Sequence, residues 1–144
     1  MKNKIPHKNN KTFTNVDPIT VEVIRNSFAS IAKQMNQNLA RSAYTPIIYE
    51  MKDCSVAIFD RNVNLVGQSS GLPVFLGTLG PAVKAVVKSY KISELKEGDI
   101  YIINDSYIVG SHLNDMTVLS PIFYKNKLIG FGATKAHWMD IGAK

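Results

Sequence analysis

Apolar side chains at Ile24, Phe28, Ile31, Met35 and Leu39 recur at spacings of four, three, four and four residues. That rhythm places them on one face of a helix. Asp17 suits the cap before it and Pro18 its first position, while Pro46 disfavours helix at Thr45. A helix is therefore predicted from Pro18 to a stop before Pro46, with its apolar stripe packed in the core. The pattern then changes. In "CSVAIFDRNVNLVGQSS" two short apolar runs flank the polar turn "DRNVN", which predicts a β-hairpin. "GLPVFLGTLG" is rich in glycine and reads as a loop, and Leu79, Val83, Val86, Val87 and Tyr90 return to helical spacing. "LKEGD" marks a turn and "IYIIND" a buried strand. From Gly110 to Asp140 the pattern is two strands around a tight polar turn. Helix, hairpin, helix and then three strands predict an α+β fold.

The last strand runs into "HWMDIGAK" with no capping helix or polar tail behind it. A sheet stopping there would have an open edge, so residues 16–144 are expected to be part of a larger domain in a longer polypeptide. Residues 1–15 hold four lysines and no apolar segment, which predicts a solvated, disordered leader and not a secretory signal. No apolar run approaches the length of a membrane span, so no membrane partner is expected. A lone cysteine, Cys54, forms no internal disulfide, and a cytoplasmic location is expected. The net charge of +6 owes most to the leader; without Lys2, Lys4, Lys8 and Lys11 there are 13 basic against 11 acidic residues. That mild surface carries no base-stacking motif, so no nucleic-acid partner is expected.

Two of the three histidines lie in the closing hairpin. With "KNK", Lys125 to Lys127, as a three-residue turn, Tyr124 faces Leu128 and Asp115 falls opposite His137. The two side chains then share a face with Cβ atoms about 4.5–5.5 Å apart. A two-residue turn would shift the register by one and separate them, and Pro121 implies a bulge or an edge that also disturbs the count. In the first register a carboxylate and an imidazole can share one metal ion, and His112, in the loop "VGSHLND", is a candidate third ligand. Two histidines and a carboxylate leave coordination positions open, which suits Mn²⁺, Fe²⁺ or Zn²⁺ in catalysis. Asp105 and Asp140 are candidate catalytic residues that orient the imidazoles, and each also reads as an ordinary turn residue. Asn104 and Lys135 are candidate substrate contacts, Lys135 sharing the parity of His137.

Other motifs point elsewhere less well. "GLPVFLGTLG" lacks the lysine of a phosphate-binding loop, and no nucleophile elbow occurs. Cys54 sits within an apolar run and reads as a packed thiol. Glu50 and Asp53 form a possible carboxylate pair or a solvated turn.

"DPITVEVIRNSFASIAKQM", "RSAYTP", "DCSVAIFD", "PVFLGTLGPAVKAV", "GDIYIINDSYIVGSHLNDMTVLSPIF" and "AHWMDIG" resemble successive blocks of the hydantoinase B/oxoprolinase family. The resemblance covers nearly everything after the leader. It implies a metal-bearing catalytic subunit whose ligands match His112, Asp115 and His137. It also implies a hydantoinase A-type ATPase partner that phosphorylates the substrate with ATP. Ser106, Phe75 and Met51 stand where the family often has proline, histidine and arginine, which bears on the substrate pocket more than on the metal. The function this resemblance implies is ATP-dependent hydrolysis of a cyclic amide of hydantoin or 5-oxoproline type. The alternatives are an ATP-dependent ketone carboxylase and an inactive truncated remnant. A chain this short is expected to be inactive alone.

Overall fold

The computed structural model describes residues 16–110 and 112–142; the expected leader lies outside the described residues. The first helix, α1, spans Pro18–Ser42. Asp17 caps it, its carboxylate accepting from the Ile19 and Thr20 amides at 3.3 and 3.1 Å. After a short helix α2 (Pro46–Tyr49) come strands β1 (Cys54–Asp60) and β2 (Leu65–Gln68), helix α3 (Pro73–Ser89) and a single 3₁₀ turn at Ile92–Glu94. Strand β3 (Tyr101–Ile103), a short helix α4 (Ser106–Val109), and strands β4 (Asp115–Tyr124) and β5 (Lys127–His137) follow among the described residues. The expected α+β class is what the structure shows.

Five strands form one antiparallel sheet in the order β2-β1-β5-β4-β3. The expectation that the last strand leaves an open edge is corrected here. β5 is the central strand, paired with β1 on one side and β4 on the other, and the edges are β2 and β3. Pairing between β1 and β5 joins segments far apart in sequence, which local periodicity does not report. "IYIIND" likewise yields an edge strand, not a buried one, with Ile102 59% exposed.

Alternate positions along the strands face two different layers. Ala57, Phe59, Leu119, Phe131 and Ala133 point to one face and pack with Leu79, Val83 and Val86 of α3. α3 begins at Pro73, so the expected glycine-rich loop is in fact helix. Pro73 sits at the favoured first position, and Phe75 and Leu79 join Val83 and Val86 on the buried face. Burial of that face outweighs the helix cost of Gly77 and Gly80, about 1 kcal/mol each. α1 lies over β1 and β2 on the opposite face, approaching so closely that a Cβ on Gly67 would stand 3.0 Å from Phe28. The stripe predicted for the core of α1 is only partly buried. Ala32 and Ala40 are buried, whereas Ile24 and Ile31 remain 49% and 46% exposed. Ile31 borders an apolar groove shared with Ile58, Ile122 and Ile129.

The closing hairpin corrects the predicted turn. Lys125 and Asn126 both have positive φ, 47° and 61°, and form a two-residue loop in which Tyr124 pairs with Lys127. These are the conformations that match the twist of a tight hairpin. Such a turn alone would send Asp115 and His137 to opposite faces. A bulge prevents this: Phe123 pairs with Leu128 but Ile122 with Gly130, so Ile129 is the extra residue. From there the register runs unbroken to Asp115 opposite His137. Pro121 is tolerated because β3 ends opposite Leu119, so the missing N–H faces no partner strand.

Candidate functional site

Asp115 and His137 meet as the register requires. His137 Nδ1 lies 2.7 Å from Asp115 Oδ1. The carboxylate is 1% exposed and the imidazole side chain 26%, so the pair sits at the mouth of the α3-facing layer. Asp115 Oδ2 accepts the backbone N–H of His112 at 3.0 Å, and the Asp115 amide donates back to the His112 carbonyl at 3.0 Å. This reciprocal turn brings the His112 ring edge-on to His137, with centroids 6.2 Å apart. Because the Asp115 carboxylate accepts from both sides, His137 carries a proton on Nδ1.

Neighbouring contacts fix the hairpin mouth. The Trp138 amide donates to the Asn114 carbonyl at 2.9 Å, and Asn114 Nδ2 donates to the Trp138 carbonyl at 2.8 Å. On the other side of His137 stands Asp53, whose carbonyl accepts the His137 N–H at 3.1 Å. Asp53 Oδ1 is buried without a partner. Asp53 thus extends the β1–β5 pairing by one residue, a position that the sequence did not single out beyond its tie to Glu50.

Lys135 lies two residues deeper on the face of His137 and is fully buried. Its ammonium donates to Thr78 Oγ1 at 2.8 Å and to the Val109 carbonyl at 3.2 Å, with the Phe75 ring 5.5 Å away. Burial pushes the Lys135 amine below its ordinary value, and the charge of Asp115 opposes that shift. Thr117 pairs across the ladder with Lys135, and its hydroxyl is buried with no partner. Neither Thr78 nor Thr117 was picked out from the sequence. Parity could have found Thr117, which shares the face of Asp115.

The other predicted site residues make backbone contacts of their own. The Asp105 carboxylate caps α4, accepting from the Tyr107 amide at 2.9 Å. Asp140 accepts from the Gly142 amide at 2.8 Å, and Asn104 donates to the Leu113 carbonyl at 2.9 Å. Cys54 is a buried thiol raised by desolvation and donates to Asn36 Oδ1 at 3.4 Å, in keeping with a packing role.

By type, two imidazoles and a carboxylate fit a divalent cation, and the orphaned Thr117 hydroxyl marks unfilled hydrogen-bonding capacity beside them. Among the described residues, however, no three His, Cys, Asp or Glu side chains are gathered tightly enough to hold a metal ion. Ligation would replace the direct Asp115–His137 hydrogen bond and draw in the His112 ring.

Residues 17–144 match the family described as hydantoinase B/oxoprolinase, and the chain belongs to that family. A protein of Methanocaldococcus jannaschii without an assigned function is 44% identical over 129 residues, covering 88% of this chain and 23% of that protein. The crystal structure of the ATP-dependent caprolactamase from Pseudomonas jessenii superposes with a TM-score of 0.76 at 32% identity, over 90% of this chain and 22% of that one. Nucleotide-free acetone carboxylase shares the fold, with a TM-score of 0.80 at 23% identity, over 88% of this chain and 17% of that one. The chain thus spans less than a quarter of the length of these relatives. Among the described residues no helix is long and apolar enough to cross a membrane.

Proposed function

We propose that this chain is part of the metal-bearing subunit of an ATP-dependent enzyme that opens cyclic amides. The observation that carries this is the buried Asp115–His137 pair with His112 folded onto it. The family membership and the caprolactamase likeness support the cyclic-amide class. His112, Asp115 and His137 would hold a divalent cation, Mn²⁺, Fe²⁺ or Zn²⁺. When bound, such an ion supplies Lewis acidity toward an amide carbonyl or a water molecule. The residues themselves do the positioning. Before a cation binds, Asp115 holds His137 by its Nδ1 proton at 2.7 Å, and ligation would open that bond and free both side chains as ligands. The two-way His112–Asp115 turn fixes the second imidazole against the first. The β-ladder keeps Asp115 directly opposite His137. A hydantoinase A-type ATPase partner in the cytoplasm would activate the amide oxygen by phosphorylation, and the 144-residue chain alone is inactive.

The test is an assay of the full-length subunit with its ATPase partner. Hydantoins, 5-oxoproline and caprolactam are offered, and ketones with bicarbonate serve as the contrast. ATP-dependent ring opening, abolished by His137→Ala in a variant that stays folded, supports the proposal. ATP consumption driven by ketone and bicarbonate alone rejects it.

A further inference from the structure

We propose that Lys135 is a positioning residue of this site: it holds the end of α4, and through it the loop that sets His112 against Asp115. This rests on the reading of His112, Asp115 and His137 as a cation site. Lys135 has no exposed surface and so no direct path to a substrate. A buried ammonium is costly unless its donors are used. No carboxylate lies within ion-pair distance of it among the described residues. Its donors go instead to two oxygens that need them. The Thr78 hydroxyl already donates to the Phe75 carbonyl at 2.9 Å, so what it offers Lys135 is a lone pair. The Val109 carbonyl closes α4, a helix of four residues. The final carbonyls of a helix have no partner within it. Directly after Val109 the chain turns at Gly110, whose φ of 61° is left-handed, and His112 then donates its amide to Asp115 Oδ2.

Lys135 on the central strand thus grips the carbonyl from which the His112 loop departs. The same strand carries His137 two residues on. One strand therefore sets both imidazoles, His137 directly and His112 through Lys135. Methionine at this position would keep the volume and remove the donor.

The experiment uses the 144-residue chain. Mn²⁺ affinity is measured by calorimetry for the native sequence, Lys135→Met, His112→Ala and the double variant. Amide exchange at His112 is followed by NMR in the absence of metal. Lys135→Met is expected to weaken Mn²⁺ binding about tenfold, as loss of a supporting contact around a metal ligand does. It should also speed His112 exchange, and its effect on affinity should vanish in the His112→Ala background. A merely structural loss would persist there undiminished, and that result overturns the proposal. So does unchanged His112 exchange in Lys135→Met. If that variant does not fold, Thr78→Val removes the 2.8 Å partner of the ammonium and is expected to act in the same direction. Failure of the native chain to bind Mn²⁺ rejects the cation site itself, and the exchange rates then decide the role of Lys135 alone.

Discussion

Replacing Asp115 by asparagine changes almost no volume and isolates what the carboxylate does. In the native site two donors converge on it, the His112 amide at 3.0 Å and His137 Nδ1 at 2.7 Å. A carboxylate accepts from both, whereas an amide has one acceptor and one donor end. In Asp115→Asn the oxygen stays on the His112 N–H, because a backbone amide cannot change character. The new NH₂ then faces His137 Nδ1, and the imidazole must move its proton to Nε2 to accept. Two hydrogen bonds to a charged group become two neutral ones, a loss of about 1–3 kcal/mol. Release of the 1%-exposed carboxylate from its desolvation offsets part of this, which leaves a net loss of about 1–2 kcal/mol. Urea unfolding reads the stability, and ¹⁵N ring shifts of His137 read the tautomer. An unchanged Nδ1–H tautomer in the variant, or no loss of stability, would refute the account of Asp115 as a double acceptor.

Gly130→Ala should cost about 2–4 kcal/mol in urea unfolding, because a Cβ there runs into the Phe59 carbonyl of β1. Asp60 in the β1–β2 turn accepts from the Asn62 and Asn64 amides and from Asn64 Nδ2, each at 2.8 Å. Burial raises its carboxyl, but the Asn64 and Asn62 hydrogen bonds, with Arg61 beside them, outweigh that and leave it below the ordinary value. The stability it confers is therefore present above about pH 4 and is lost as pH falls through the lowered value in the folded chain. The difference in unfolding free energy between the native sequence and Asp60→Ala should be about 1–2 kcal/mol at pH 7 and shrink toward pH 2. Cys54, fully buried and raised by desolvation, should resist a water-soluble disulfide reagent in the folded chain and react on unfolding; equal rates in both states would contradict its burial.

The sequence made the fold class legible because Asp17 with Pro18, the "DRNVN" turn and the closing hairpin are local signals. Competition between local and distant terms hid the rest. The glycines of "GLPVFLGTLG" speak for a loop, but burial of Phe75 and Leu79 decides for helix. The central place of β5 depends on pairing with β1, and no local pattern encodes that. The Asp115–His137 pairing followed from an assumed three-residue turn. The actual turn is one residue shorter, and the bulge at Ile129 restores the register. Lys135 is a different case. Parity placed it on the right face, yet its depth below α4 depends on helix packing that parity does not report.

A crystal of the chain grown with Mn²⁺ and measured at the manganese edge tests the central claim most directly. The account predicts one strong anomalous peak about 2.0–2.3 Å from the nearest side-chain atoms of His112, Asp115 and His137 together, with the Asp115–His137 hydrogen bond opened. Density at that point showing Nδ1 still bonded to the carboxylate, and the manganese bound elsewhere or not at all, would contradict it.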